Sequence, residues 1–208
     1  MKLEWKKSEK AIYLPGTQPE IITLPAFKFF VIAGEGNPND DFFGNYIEAL
    51  YALSYAVKMS PRSGLAPEGY HDYAVYPLEG VWDLTEDAKK IYSGTLNKND
   101  LVFNLMIRQP DFVSEGYALT TIEKTMKKKP NRMLEKVKFV VIEEGECIQM
   151  MHLGSYDAEP ESFAKMEEFC RDRNLLRISR QHREIYLSDA RKVSPDKLRT
   201  VLRFGVKG

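Results

Sequence analysis

Residues 27–36 carry the sequence FKFFVIAGEG, in which aromatic and β-branched residues lead into two glycines. That composition predicts a strand that begins near Ile21 and ends at the glycines. Apolar residues then recur at helical spacing over residues 43–59, and two further strand patterns follow over residues 73–83 and 100–108. The first half of the chain therefore predicts the element order β-α-β-β.

A second run of elements begins at residues 147–156, CIQMMHLGSY. A hairpin is expected to join residues 137–143 to residues 147–153 through Glu144-Gly-Glu, because glycine supplies a tight turn. The elements predicted after it are a helix and two strands, at residues 157–173, 182–187 and 198–206. The second half therefore repeats the order of the first.

The two halves can also be matched block by block. FKFFVIAGEG at residues 27–36 is aligned with CIQMMHLGSY at residues 147–156, and DYAVYPLEG at residues 72–80 is aligned with QHREIYLSD at residues 181–189. Arg108 and Arg203 fall at matching places in the last strand of each half. The match between the halves rests on the order of their elements, because few residues are identical between them.

The predicted fold class is α+β, with duplicated β-α-β-β units that form an antiparallel sheet, helices on one face and a ligand cleft between the halves. We expect a single domain over residues 1–208, with pseudo-repeats at about 19–110 and 136–206. A helix over residues 114–133 is expected to link them, and Pro130 is expected to end or kink that helix.

The net charge and the cysteine content of the chain indicate which classes of partner and which cellular compartment to expect. The chain has 208 residues, with 30 Lys and Arg against 30 Asp and Glu, so its formal net charge is zero. Neither nucleic acid nor a membrane surface is expected as a partner, because a neutral chain lacks the field that attracts them. Cys147 and Cys170 form no metal-ligand spacing and are expected to be reduced, packed thiols. Without an apolar leader or an apolar run of about 18 residues, we expect a soluble cytoplasmic protein.

Sequence motifs for nucleotides and metals are absent. The sequence contains no Walker, dinucleotide-binding, zinc-ligand or Ser-His-Asp pattern, and Gly34-Glu-Gly is too short to cradle a phosphate. The three histidines include no pair at metal-binding spacing. We therefore expect neither a metal nor a cofactor.

Strand alternation places a carboxylate within the predicted sheet, at Glu184. In QHREIYLSD, residues 181–189, alternation predicts that His182, Glu184 and Tyr186 share one face. Burial of an unpaired carboxylate is costly. One interpretation is therefore an exposed glutamate, or one paired with an arginine such as Arg203. The other is a pocket acid with a raised pKa that binds a cation or moves a proton.

Aromatic and methionine side chains are candidates for the wall of a ligand cleft, although ordinary core packing is the commoner use of each. His152, which ends a strand before Gly154, is either a proton carrier or a hydrogen-bonded structural histidine. The ligand-binding candidates are Trp82, Tyr51, Tyr55, Met106, Phe112, Met150, His152 and His182.

Five blocks of the sequence resemble the GyrI-like small-molecule-binding family, namely LPAFKFFVIAGEGNPN, YPLEGVW, LMIRQPDF, MHLGSY and HREIYLSD. They span residues 24–189, which is most of the chain. The resemblance implies a duplicated strand–helix–strand–strand fold and an aromatic cleft around one acid, which binds lipophilic and often planar or cationic molecules. Glu184 is the position that matches this acid.

Members of that family include effector-binding domains of multidrug-responsive regulators, gyrase-inhibitory proteins, and stand-alone hydrolases that open the cyclopropane ring of DNA-alkylating natural products. The blocks LEGVW and HREIYLSD most resemble the stand-alone type, which implies that Trp82, Glu184 and Tyr186 lie in the working cleft.

Our leading hypothesis is a hydrolase that detoxifies such compounds. Glu184 would act as general base on a water, helped by the Tyr186 hydroxyl. His152 or Tyr55 would donate to the oxygen on which charge develops. The alternative is a non-catalytic module that sequesters lipophilic molecules or binds a protein partner such as gyrase. The hydrolase should turn over many molecules of substrate, whereas the sequestering module should capture its ligand stoichiometrically and leave it unchanged.

Overall fold

The computed structural model describes residues 2–91, 96–128 and 131–208. The chain divides into two compact units. Unit 1 contains residues 27–142 and the chain start through Leu3, and unit 2 contains residues 4–26 and 143–208. Within the described residues, no helix is long and apolar enough to cross a membrane.

Six α-helices and seven strands are described, besides short 3₁₀ turns. In chain order they are α1 (Trp5–Ser8), α2 (Lys10–Tyr13), β1 (Glu20–Glu35), α3 (Phe42–Lys58), β2 (Leu78–Leu84), α4 (Glu86–Ile91), β3 (Leu101–Gln109), α5 (Glu115–Lys128), β4 (Lys138–Leu153), α6 (Glu159–Asp172), β5 (Leu176–Arg177), β6 (His182–Tyr186) and β7 (Arg199–Lys207). The long strands β1 and β4 give residues to both units. Apart from the short elements α4 and β5, the order β1-α3-β2-β3 in unit 1 matches the order β4-α6-β6-β7 in unit 2. The predicted α+β class of duplicated units is confirmed.

In unit 1, β3 pairs antiparallel with both β1 and β2, and α3 packs on β3 and α5. The predicted apolar stripe of α3 supplies the contact, since Tyr46, Leu50, Leu53 and Val57 are buried. Gly34 on β1 is required here, because a Cβ at that position would lie 2.5 Å from the ring of Phe103.

In unit 2, β7 pairs antiparallel with β4, β5 and β6. Helix α6 covers one face of this sheet. Side chains from alternate positions of β4 and β7 meet α6 in a buried apolar cluster of Ile148, Met150, Met166, Cys170, Leu202, Phe204 and Val206. Cys147 and Cys170 are both buried free thiols, as predicted.

Strand register supports one of the two block matches between the halves and corrects the other. Arg108 stands opposite Phe29 in unit 1, and Arg203 stands opposite Gln149 in unit 2, which are matching positions of FKFFVIAGEG and CIQMMHLGSY. The match of DYAVYPLEG with QHREIYLSD is wrong by three residues. By register, the position of Glu184 in unit 2 is that of Leu78 in unit 1, because their partners are Leu202 and Ile107. The acid therefore has an apolar counterpart in unit 1.

The predicted hairpin at Glu144-Gly-Glu is also wrong. β4 runs without a reversal from Lys138 to Leu153. Gly145 adopts a φ of 65° inside this strand. A glycine with positive φ serves a bulge within a strand as readily as a turn between strands, so the residue type alone did not distinguish the two.

The predicted linking helix, residues 114–133, is shorter in the structure. Helix α5 is described over Glu115–Lys128, and residues 132–136 form a 3₁₀ turn. Pro130, which was expected to end or kink the helix, lies outside the described residues. The pseudo-repeat boundaries and the single-domain assignment stay predictions.

A buried ionic network organises the face of the unit 2 sheet that α6 does not cover. Arg183 and Arg203 stand opposite each other on β6 and β7. Glu144 binds both, with its Oε2 2.8 Å from Nε of Arg183 and its Oε1 2.9 Å from Nη1 of Arg203. Arg203 also donates to Oε1 of Gln149 and to the carbonyl of Ile12, so the network attaches the N-terminal segment to the sheet.

We expect Glu144→Gln to lower the free energy of unfolding by about 3–5 kcal/mol, because two buried guanidinium groups lose their shared carboxylate. Urea unfolding at neutral pH measures the change. Glu143→Gln is the matched control, because Glu143 is the adjacent acid and is exposed. Equal stability of the two variants would contradict this role for Glu144.

Candidate functional site

The position of Glu184 follows from the register of β6. Glu184 stands opposite Leu202, whose side chain belongs to the cluster under α6. Arg183 stands opposite Arg203 on the other face. Because opposed residues of antiparallel strands share a face, Glu184 lies on the face that α6 covers. The alternation predicted from the sequence agrees with this register.

Glu184 is buried, with 8% of its surface exposed. It is therefore not the exposed acid of the first interpretation. Arg203, the arginine considered as its partner, instead binds Glu144. The contacts described for Glu184 are to His182 and Glu159, and one of these is a second acid.

His182 holds one oxygen of Glu184. Its Nε2 lies 3.0 Å from Oε1 of Glu184, a hydrogen-bond distance. The imidazole ring packs edge-on against Phe163 of α6, with ring centroids 4.7 Å apart. A ring fixed in this way keeps its Nε2 directed at the carboxylate.

Glu159 is a member of the cluster that the sequence analysis missed. It is the first residue of α6 and is 6% exposed. Its Oε1 is buried without a hydrogen-bond partner. Burial raises the pKa of Glu159, and the negative charge of Glu184 and a hydrogen bond to that side chain raise it further. A glutamate in the first turn of a helix is ordinary, so the sequence offered no signal for it.

Two tyrosines lie beside these acids. The rings of Tyr156 and Tyr186 meet edge to face with centroids 6.0 Å apart. Burial raises the pKa of Tyr156 to about 12, with further contributions from the negative charges of Glu184 and Glu159. Its hydroxyl therefore keeps its proton at neutral pH and can donate it in a hydrogen bond. Tyr156 ends the block MHLGSY and is not among the site residues that the sequence predicts.

His152 is occupied within the protein. Its Nε2 lies 2.9 Å from the carbonyl of Ser155, to which it donates, and its Nδ1 lies 2.9 Å from Oγ of Ser162. Both ring nitrogens thus hold the segment that leads into α6, where Tyr156 and Glu159 lie. These contacts favour the structural interpretation over that of a proton carrier.

Trp82 and the two methionines lie in packed interiors. In unit 1, Trp82 is 5% exposed and packs against the rings of Phe43 and Phe103 at centroid distances of 6.0 and 5.3 Å. Met106, on β3 of the same unit, is buried. Met150 belongs to the apolar cluster of unit 2. Their burial favours a role in core packing over a role in a ligand-binding wall. Ligand contact stays a prediction for all three residues.

Tyr51 and Tyr55 line an open groove of unit 1, between α3 and α5. Their ring centroids are 6.3 Å apart, and the groove has a volume of about 500 Å³. Its charged lining residues are Glu48 and Lys128. Phe112 lies elsewhere in unit 1, where its ring contacts Tyr70, His71 and Tyr73.

Among the predicted site residues, those that the structure brings together in unit 2 are Glu184, His182 and Tyr186. Glu159 and Tyr156 complete this group, which we call the acid cluster. The cluster offers a carboxylate as base and hydroxyl groups as donors. One oxygen or nitrogen from each of Glu159, His182 and Glu184 lies within 4.8 Å of the others, a spacing that could also hold a metal ion.

Solved structures include close matches to the whole chain. A hydrolase from Listeria innocua is 36% identical over 99% of this chain and 100% of its own, with a TM-score of 0.88. A second structure of a hydrolase from Listeria innocua is 37% identical over 100% of both chains, with a TM-score of 0.89. The EcmrR C-terminal domain, at 14% identity and a TM-score of 0.52 over 94% of this chain and 98% of its own, shares the fold alone.

No match was found among curated proteins. The family described as the GyrI-like small molecule binding domain matches residues 17–207, nearly the full length of the chain. This match agrees with the blocks that resembled the family in sequence and with the duplicated fold. The chain belongs to the GyrI-like small molecule binding domain family.

Proposed function

We propose that this protein binds lipophilic, planar small molecules and hydrolyses electrophilic, cyclopropane-bearing compounds that alkylate DNA. Family membership supports small-molecule binding. The two Listeria structures described as hydrolases, at 36% and 37% identity over nearly all of this chain, support hydrolysis. The observation that carries the proposal is Glu184, a buried carboxylate whose described contacts are a histidine and a second acid.

Glu184 is the general base of the proposed reaction. It removes a proton from a water as the water oxygen bonds to the strained cyclopropane carbon. The carbon–carbon bond of the ring breaks, and its electron pair passes through the conjugated system to the carbonyl oxygen, which becomes a phenolate. That oxygen then takes up a proton, so the reaction adds one water to the substrate.

The neighbours of Glu184 support this role. His182 donates to one carboxylate oxygen and fixes the direction of the base. The hydroxyl of Tyr156, which stays protonated at neutral pH, is a donor of suitable chemistry for the developing phenolate, and we propose Tyr186 as a second. Tyr55, a donor candidate predicted from the sequence, is half exposed on a helix of unit 1.

We expect Glu184→Gln to lower kcat by about 100-fold or more, because the variant keeps the shape of the side chain but cannot accept the proton. The affinity for a neutral substrate should change little. Turnover is measured by mass spectrometry of the ring-opened, water-added product of a fused-ring cyclopropane alkylator. Glu161→Gln is the control, because Glu161 is an exposed acid on α6.

Two outcomes of that assay would overturn the proposal. No acceleration over buffer by the wild-type protein would end the hydrolase assignment. Stoichiometric capture of the compound with unchanged mass would favour a sequestering module, in which Glu184 is a counter-charge for bound ligands.

We expect His152→Ala to lower the free energy of unfolding by about 1–3 kcal/mol, because it leaves a buried hydroxyl and a carbonyl without their partner. Ligand affinity, measured by calorimetry on the folded variant, should stay within a few-fold of the wild type. The exposed His71→Ala is the matched control. A large loss of affinity at unchanged stability would instead place His152 against the ligand.

A further inference from the structure

Two carboxyl groups lie close together inside unit 2, where a negative charge on both would be costly. Glu159 and Glu184 are 6% and 8% exposed, and a carboxylate oxygen of one lies within 4.8 Å of a carboxylate oxygen of the other. Like charges that close together repel strongly where water is excluded. Something must therefore neutralise one of the two.

The surroundings of Glu159 supply no described positive charge for this purpose. On β6 it faces Glu184 and His182, and in the turn before α6 it faces Asp157, another acid. Tyr156, in the same turn, also feels the charges of both glutamates and of Asp189. His182 is hydrogen-bonded to Glu184, and Oε1 of Glu159 is buried without a partner.

We propose that Glu159 and Glu184 share a single proton, which Glu159 holds and donates in a hydrogen bond to the ionised Glu184. His182 donates the second hydrogen bond, so the carboxylate of Glu184 is held from two sides. Glu159 is then a positioning residue, because it acts through Glu184. The inference rests on the proposed function only where it calls Glu184 a base, and the proton itself can be tested without substrate.

A metal ion is the competing way to neutralise the pair, since Glu159, His182 and Glu184 have a spacing that could coordinate one. The contact between His182 and Glu184 is compatible with the proton. In the proposed state Glu184 is ionised, and Nε2 of His182, 3.0 Å away, carries the hydrogen of that contact. A nitrogen that binds a metal offers a lone pair and carries no hydrogen.

The shared proton should make the free energy of unfolding depend on pH. The pKa of Glu159 is raised above its usual 4.5, chiefly by burial and then by the charge of Glu184. Above about pH 4.5 the unfolded chain releases the proton of Glu159, whereas the folded protein keeps it. The free energy of unfolding should therefore fall as the pH rises from the unfolded pKa of Glu159 towards its folded pKa, because the unfolded state binds fewer protons.

The first test is the infrared spectrum of the protein in heavy water at neutral pH, with isotope-labelled glutamate. We expect the wild type to show the carbonyl band of a protonated carboxylic acid, Glu159→Gln to lack it, and the exposed control Glu161→Gln to keep it. Loss of an ionised carboxylate band in Glu159→Gln, with no acid band in the wild type, would overturn the proposal.

The second test is urea unfolding of the same proteins between about pH 6 and about pH 9. Glutamine mimics the protonated acid but cannot ionise. We expect the stability of Glu159→Gln relative to the wild type to increase steadily with pH, while Glu161→Gln follows the wild type. A stability difference between Glu159→Gln and the wild type that does not change with pH would overturn the proposal. A metal site would be indicated instead if zinc or manganese chloride raised the melting temperature of the wild type but not that of Glu159→Gln, and this result would also overturn the proposal.

The turnover rate of Glu159 variants tests whether Glu159 positions the carboxylate of Glu184. Glu159→Gln, whose amide can still donate to Glu184, should retain kcat within about threefold, whereas Glu159→Ala should lose about tenfold or more. Equal losses in the two variants would overturn the positioning role. Failure of hydrolysis in every protein, with the acid band present, would remove the proposed function and leave the shared proton standing.

Discussion

The ion pairs of Glu144 with Arg183 and Arg203 are the interaction on which the placement of the acid cluster in unit 2 depends. Arg183 and Arg203 are opposed on neighbouring strands, where like charges repel unless a carboxylate lies between them. Glu144 supplies that carboxylate at 2.8 and 2.9 Å. With Arg183 fixed on one face of β6, Glu184 must lie on the other, under α6. A slip of one residue would exchange the two faces.

The two faces of this sheet bury acids in different ways. Glu144 is neutralised by two guanidinium groups, an arrangement that holds strands together and has no capacity left for chemistry. Glu184 instead lies beside a histidine and a second acid, both of which are groups that can gain or lose a proton. A general base must accept a proton from water and release it again, and we propose that Glu184 does so in the second environment.

The sequence predicted what depends on local periodicity. The strand–helix–strand–strand order and the alternation that groups His182, Glu184 and Tyr186 follow from spacing within single elements. Glu159 and Tyr156 could not be found in this way, because they reach Glu184 only through the packing of α6 on the sheet. The hairpin at Gly145 failed for a related reason, since a glycine with positive φ has the same sequence in a bulge and in a turn.

A crystal structure of Glu184→Gln with an intact cyclopropane-bearing substrate tests the central claim most directly, because the variant should bind the compound without consuming it. The account predicts that the strained carbon lies next to a water hydrogen-bonded to the side chain at position 184, with His182 and Glu159 holding that side chain. A compound seated instead in the groove lined by Tyr51 and Tyr55, with the acid cluster filled only by water, would contradict it.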